Sequence, residues 1–242
     1  MGAYSEIVPY YDLLYSSLKD YEDEARKIHE IFRASGEHVR RVLDVGCGTG
    51  LHAYSLTRMG YGVDGIDIEP GFLRIAADRN PEGVFRPGDM RDFSVDEPYD
   101  AVLCLFSAIG YARDEEGLRR TLRSLARAVR PGGVVIVEPW FEPGVIAEGH
   151  VMMHTAESEE VKLCRMSRTT LQDHLSVLEF DYLVATDATT THHREVHELG
   201  LFPAPLMERT FTDAGFDVEY EAGGLAGRGL WIGRKPAGAQ TG

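Results

Sequence analysis

Val42-Leu-Asp-Val-Gly-Cys-Gly-Thr-Gly-Leu51 reads as a short buried strand running into a turn with glycines at 46, 48 and 50, and from there into a helix. Glycines at such a junction let a ligand lie against the backbone. A dinucleotide site has the spacing G-x-G-x-x-G, which seats a pyrophosphate on the helix N-terminus. Here the spacing is G-x-G-x-G and position 51 is Leu. Asp44, just ahead of the turn, would repel a pyrophosphate and attract an ammonium group, which favours a ligand with an amino-acid end.

Outward from this turn, residues 41 to 138 alternate short apolar strands with amphipathic helices. This is the pattern of an α/β, doubly wound, mostly parallel Rossmann-like sheet. The strands are Arg41–Gly46, Tyr61–Asp67, Gly83–Arg86, Tyr99–Leu105 and Gly133–Glu138. A helix with Leu118, Leu122, Leu125 and Val129 on one face ends at the stop signal Arg130-Pro-Gly-Gly133. Before the sheet, Asp20 caps a helix whose stripe is Tyr21, Ala25, Ile28 and Ile31, and the segment ahead of it is rich in tyrosine (Tyr4, Tyr10, Tyr11, Tyr15). Residues 161–166, 175–183 and 193–199 alternate with period two, as antiparallel strands do. A helix at 204–214 and strands at 217–220 and 229–233 return to the α/β pattern. The expected organisation is an N-terminal helical cap over residues 1–40 and an α/β domain over 41–142 and 201–234. An antiparallel β insertion over 143–200 would serve as a substrate wall or a homodimer contact, and 235–242 would be a frayed tail.

Composition narrows the function. The chain has 242 residues with 39 Asp+Glu against 25 Lys+Arg, a net charge of −14, so broad electrostatic binding to nucleic acid or an anionic membrane is excluded. Cys47, Cys104 and Cys164 form no C-x-x-C pair, which argues against a disulfide framework or zinc ribbon and for the reducing cytoplasm. No apolar run approaches the roughly 18 residues a membrane span needs, and the first residues lack a signal-peptide core.

Two further acids extend the ligand reading. Asp67 ends the second strand, 21 residues beyond Gly46, where a carboxylate accepts both hydroxyls of a ribose. Asp89 and Met90 stand just past the third strand, an acceptor for an adenine amino group and a soft surface for its ring. Glycine turn, Asp67 and Asp89 fall at the carboxyl ends of successive strands, the edge where open sheets bind ligands.

The series Val42–Gly50, Asp67, Gly88-Asp89-Met90 and Arg130-Pro-Gly-Gly133 resembles that of class I S-adenosylmethionine-dependent methyltransferases. Tyr11-Asp-Leu-Leu-Tyr15 with Lys19-Asp-Tyr21, Gly88–Phe93, Phe106-Ser-Ala-Ile-Gly-Tyr111, Val137-Glu-Pro-Trp140 and Gly223–Gly229 resemble one branch. That branch comprises the dTDP-amino-sugar N,N-dimethyltransferases of antibiotic deoxysugar pathways, and the likeness runs from about Tyr10 to Ile232.

The resemblance implies S-adenosyl-L-methionine as cofactor. Asp44, Gly46, Gly48 and Gly50 would hold its methionine end, Asp67 the ribose, Asp89 and Met90 the adenine, with Tyr21 a further contact. It implies a nucleotide-linked amino sugar as substrate, with Tyr15 and Tyr111 bordering methyl transfer and Arg228 and Lys19 answering the diphosphate; His197, whose strand leads into Leu201-Phe-Pro203, reads from its own position as a structural or substrate-binding residue. A metal site at His192, His193, Glu195 and His197 is disfavoured for want of further ligands, and no metal is expected. Cys47 reads as a packing residue, and Arg119, Arg120, Arg123, Arg127 and Arg130 as a solvated face. The alternatives are a small-molecule N- or O-methyltransferase with another acceptor and a non-catalytic S-adenosylmethionine-binding protein.

Overall fold

The computed structural model describes residues 7–36 and 38–238; Tyr4 and the last four residues of the expected tail lie outside the described residues. A first helix α1 (Tyr11–Tyr15) and α2 (Tyr21–Ala34) precede β1 (Arg41–Val45). There follow α3 (Leu51–Arg58), β2 (Gly62–Asp67), α4 (Pro70–Arg79), β3 (Phe85–Pro87), β4 (Tyr99–Cys104), α5 (Glu115–Ala128) and β5 (Val129–Val137). Strands β6 (Val151–Glu157), β7 (Lys162–Gln172), β8 (Leu175–Ala185) and β9 (Thr190–Gly200) then form a separate sheet. The chain ends in α6 (Ala204–Asp213), β10 (Asp217–Glu221) and β11 (Leu230–Arg234).

The main sheet has the order β10-β11-β5-β4-β1-β2-β3. Strands β1 to β5 are parallel, and β11 runs antiparallel to β5 and β10. Strand order reverses between β1 and β4, which opens a crevice at their carboxyl ends. Both faces are covered. Leu118, Leu122 and Leu125 of α5 pack with Val102, Val135 and Phe211 on one side. Ile28 and Phe32 of α2 pack with Leu56, Val42, Leu103 and Ile136 on the other. Each buried Leu or Ile contributes about 1.5–3 kcal/mol. The expected cap of α2 forms: the Asp20 carboxylate accepts from the Asp23 amide at 2.9 Å.

Two elements differ from the sequence reading. Helix α5 ends at Ala128, but Arg130-Pro-Gly-Gly133 continues directly as β5 through a bulge that shifts the register between Tyr99 and Ala101. Gly132 sits at φ +79°, and its amide donates to the Lys235 carbonyl, so the extra residues are secured by the chain's return. Strand β6 was not expected. It is an edge strand in which Val151, Met152 and Met153 are all exposed, so no alternation marks it.

The second sheet is the antiparallel meander β6-β7-β8-β9. Leu163, Leu178, Phe180 and Tyr182 on its inner face pack against Ile7, Tyr11, Leu14 and Tyr15. Met153, Met166 and Leu183 are exposed on the outer face.

Asp12 ties α1 to the glycine turn. Its Oδ1 accepts from Thr49 Oγ1 at 2.5 Å and its Oδ2 from Arg79 Nη2 at 2.5 Å, while Arg79 Nη1 donates to the Thr49 carbonyl. Asp12→Ala removes two hydrogen bonds, one of them an ion pair, worth about 2 kcal/mol together. The segment before Asp20 should then open and be cleaved roughly thirtyfold faster in limited proteolysis, with the core intact. Equal cleavage rates would show that the apolar contacts of α1 alone hold it.

Candidate active site

The three glycines of the turn have φ of +76°, +54° and +76°, at Gly46, Gly48 and Gly50, a conformation other residues adopt only with strain. Their surroundings differ. A Cβ at Gly46 would stand 2.9 Å from Ala108 Cβ, and one at Gly50 3.0 Å from Ala76 Cβ, so both are also needed for packing. A Cβ at Gly48 would meet nothing within 4 Å, so the turn is open toward the crevice there.

Asp44 is 2% exposed, and its Oδ2 has no hydrogen-bond partner. Burial pushes its carboxyl up to about 6, with the Asp67 charge acting in the same direction and His52 against it. It lines a cavity with Gly46, Gly48, Thr49, Tyr21, His52 and Phe106. An orphaned carboxylate oxygen beside an open glycine backbone fits the ammonium of an amino-acid ligand. Tyr21 stacks edge-on against His52 at 4.8 Å, and burial pushes its hydroxyl far above the usual range.

A second cavity begins at Gly48 and holds Asp67, Asp89, Met90, Phe72 and Tyr111. Asp67 Oδ2 accepts from the Gly48 amide at 2.8 Å and Oδ1 from the Glu69 amide at 2.9 Å; burial outweighs these bonds and raises its carboxyl. Its position couples the glycine turn to the end of β2, and lone pairs remain for a diol. Asp89 brings a surprise. Arg91 Nη2 donates to its Oδ2 at 2.6 Å and Arg91 Nε to both oxygens, which holds the carboxyl below its ordinary value. The expectation of an open acceptor is corrected: any donor at Asp89 must share it with Arg91.

The third cavity lies beyond Phe106 and is lined by Tyr15, Lys19, Tyr111, Arg165, His197 and Arg228 among others. Phe106 and Tyr111 border both this cavity and the second. Phe106 and Ser107 have φ of +50° and +60°, strained for non-glycine residues. The strain is held by Glu138 Oε2, which accepts from the Phe106 amide at 2.6 Å, and by Ser107 Oγ, which donates to the Pro139 carbonyl at 2.7 Å.

Beneath Phe106 runs a row of alternating basic and acidic groups that the sequence reading missed. His52 Nε2 lies 2.7 Å from Glu24 Oε2, which lies 3.0 Å from Lys19 Nζ. Lys19 Nζ is 4.0 Å from Glu138 Oε2, and Glu138 Oε1 accepts from Arg228 Nη2 at 2.8 Å. Burial pushes the Glu24 carboxyl up, but the hydrogen bond and charge of His52, with Lys19, leave it net lowered. Lys19 Nζ stands 3.9 Å from the Phe106 ring centre. Its side chain is 5% exposed and committed to Glu24, so the expectation of Lys19 as a free answer to a diphosphate is corrected. Arg228 is also paired, but its Nε makes no hydrogen bond and its side chain is 18% exposed on the cavity. The signal for Glu24 was available: it shares the buried face of α2 with Ile28, at i and i+4.

Tyr15 Oη accepts from Arg165 Nη1 at 2.8 Å, and Arg165 Nη2 donates to His154 Nδ1 at 3.1 Å. Burial first, then the Arg165 charge, keeps His154 below its ordinary value, as an accepting imidazole requires. Arg165 reaches this place from β7 and was not singled out in the sequence. Tyr111 Oη and His197 Nδ1 are 2.7 Å apart. Among the described residues no group of three or more His, Cys, Asp or Glu is arranged to hold a metal. Burial pushes the Cys47 thiol well up, which leaves it a packing group. No helix among the described residues is long and apolar enough to cross a membrane.

Residues 42–133 match the model of a methyltransferase domain. The chain is 39% identical to dTDP-3-amino-3,6-dideoxy-alpha-D-glucopyranose N,N-dimethyltransferase of Streptomyces fradiae, over 98% of this chain and 93% of that one. It is 33% identical to dTDP-4-amino-2,3,4,6-tetradeoxy-D-glucose N,N-dimethyltransferase of Saccharopolyspora spinosa, over 92% and 90%. The solved structure of CalS10 with S-adenosylmethionine bound, an amino pentose methyltransferase from Micromonospora echinaspora, is similar with a TM-score of 0.81 at 32% identity, covering 90% of this chain and 92% of that one. With the crevice, the orphaned Asp44 and end-to-end similarity at these levels, the chain belongs to the S-adenosylmethionine-dependent dTDP-amino-sugar N,N-dimethyltransferases.

Proposed function

We propose that the chain methylates the amino nitrogen of a dTDP-linked amino deoxysugar twice in succession. The observation that carries this reading is the sharing of Tyr111 and Phe106 between the nucleoside cavity and a separate acceptor cavity that ends at Arg228. When bound, S-adenosylmethionine supplies a methyl group on a sulfonium, activated for attack by an amine lone pair. Asp44 and the Gly46–Gly50 turn would hold its methionine end, Asp67 its ribose, and Met90 its adenine, with Asp89 and Tyr21 at the two ends of the site. The chain's own work is placement. Aligning two reactants supplies roughly 7–11 kcal/mol, whereas freeing the lone pair of an amine of pKa near 8 costs about 1.4 kcal/mol at neutral pH.

Tyr15 and Tyr111 border the place of transfer, and their hydroxyls are fixed by Arg165 and His197. The aromatic rings of Tyr15, Tyr111 and Phe106 suit a cationic centre between them. Arg228, oriented by Glu138, presents the exposed part of its guanidinium to the cavity, where it would meet a phosphate oxygen. The antiparallel insertion supplies the far wall through Arg165, Phe180 and His197.

The test is mass spectrometry of reactions with S-adenosylmethionine and a panel of dTDP-linked 3-amino and 4-amino deoxysugars. Gain of one and then two methyl groups on at least one of them is expected. No mass gain on any of them, with cofactor binding intact, would overturn the reading.

A further inference from the structure

We infer that Glu195, His197 and Tyr111 form a buried proton relay that takes the proton from the substrate's ammonium group. The inference rests on the functional reading above, because it needs an amine in the acceptor cavity. Tyr111 comes from the 3-10 turn Ala108–Ala112 of the α/β domain, whereas His197 and Glu195 come from β9 of the insertion. Period-two spacing puts both on the inner face. Tyr111 Oη lies 2.7 Å from His197 Nδ1, and His197 Nε2 lies 3.4 Å from Glu195 Oε2.

Burial makes this a relay and not a surface contact. The His197 side chain is 1% exposed and that of Glu195 4%. Glu195 Oε1 has no hydrogen-bond partner, and among the described residues the carboxylate has no ion-pair partner besides His197. A buried carboxylate so poorly satisfied is costly, and a proton arriving on the imidazole relieves it. The geometry selects a tautomer: Nε2–H faces Glu195, which leaves Nδ1 to accept from the Tyr111 hydroxyl. Tyr111 borders both the nucleoside and the acceptor cavities, so its oxygen is the end of the chain that an amine meets.

Other titratable groups share this face. The Phe180 ring packs against both Arg165 of β7 and His197, 4.6 Å from the guanidinium and 4.8 Å from the imidazole. His154 of β6 is bonded to Arg165, and Tyr182 and His193 are paired across β8 and β9 farther along the strands. Tyr15, Lys19 and Arg228 line the same cavity from other elements.

The protons balance in one concerted step. The ammonium nitrogen gives a proton to Tyr111 Oη as the phenolic proton passes to His197 Nδ1. This leaves a neutral amine, a neutral tyrosine and an imidazolium against the Glu195 carboxylate. The proton returns to solvent when product leaves and the cavity opens. A second methylation repeats the cycle, since the monomethylated amine is again protonated as formed.

His197→Asn keeps an acceptor for Tyr111 where Nδ1 stood but takes up no proton. With an amine of pKa near 8, about a tenth of the substrate is neutral at pH 7 without help. The expected result is therefore a loss of kcat of roughly tenfold at pH 7 that disappears near pH 9, with S-adenosylmethionine affinity unchanged. Glu195→Gln should fall between this variant and the wild type. Independently of turnover, nitrogen NMR of the ligand-free wild-type protein should show His197 protonated at Nε2 and bare at Nδ1. Equal losses at pH 7 and pH 9, wild-type rates in H197N, or a protonated Nδ1 would each overturn the relay. A wild-type protein that methylates no sugar would sink the functional reading instead, and the NMR result would still stand on its own.

Discussion

The Asp44→Asn protein is expected to melt a few degrees higher than wild type without ligand, yet to bind S-adenosylmethionine at least a hundredfold more weakly. The carboxyl of Asp44 is pushed up from 3.8 to about 6, chiefly by burial. The folded value lies above the unfolded one, so the folded chain holds this proton more tightly. For this group, stability rises as pH falls from about 7 toward 4 and is lowest where the carboxylate is ionised. About two units correspond to roughly 3 kcal/mol at neutral pH, an upper bound on what an uncharged replacement recovers. An amide still needs partners in that pocket, so about 1–2 kcal/mol is the reasonable gain, or roughly 2–8 °C for a domain of this size. With ligand the sign reverses. The orphaned Oδ2 would receive a ligand ammonium, and loss of one side of a buried charge pair costs about 3–5 kcal/mol. Thermal melts across pH 5–8 and titration calorimetry check both halves. Cofactor affinity within threefold of wild type would remove Asp44 from the site.

What could be read in the sequence and what could not divide along sequence distance. The glycine turn, Asp67 and Met90 are legible because each sits at a strand end and its meaning is local. The parallel strands are legible as apolar runs such as Val134–Val137, which are buried on both faces. The charge row is illegible for the opposite reason. Arg228 and Glu138 are 90 positions apart, and Arg165 and Tyr15 are 150 apart. A buried charged residue in a sequence looks like an exposed one until its partner is known. Lys19 and Arg228 were accordingly read as free cations for a substrate, when the fold had already given each a carboxylate. Asp89 fails differently, since Arg91 is two residues away, but a bidentate grip depends on the turn's geometry and not on spacing. The tyrosines Tyr15 and Tyr111 were legible as residues, yet their partners came from the insertion, whose edge strand β6 carries no alternating pattern at all.

Replacing Glu138 by Ala should cause a large loss of stability. Glu138 is 0% exposed, accepts from Arg228 and from the Phe106 amide, and faces Lys19. Its loss strands the part-buried Arg228 guanidinium and weakens the field that holds the buried Lys19, a change of about 3 kcal/mol. It also leaves the Phe106 N–H without its acceptor at a strained φ of +50°, adding about 1–3 kcal/mol. Against a total stability of about 5–15 kcal/mol, a fall of at least 3 is expected, or roughly 10 °C in melting temperature. Glu138→Gln keeps an oxygen for the Phe106 amide but not the charge, so it should lie between the two and separate the backbone contribution from the ionic one. Arg228→Met in the Glu138→Ala background removes the stranded cation and should restore part of the loss, which a double-mutant cycle measures directly. Urea denaturation of wild type, the two Glu138 variants, Arg228→Met alone and the double variant decides the matter. If Glu138→Ala lies within 1 kcal/mol of wild type, the row of alternating charges is not a stabilising feature of the acceptor cavity, and Phe106 is held by its apolar neighbours alone.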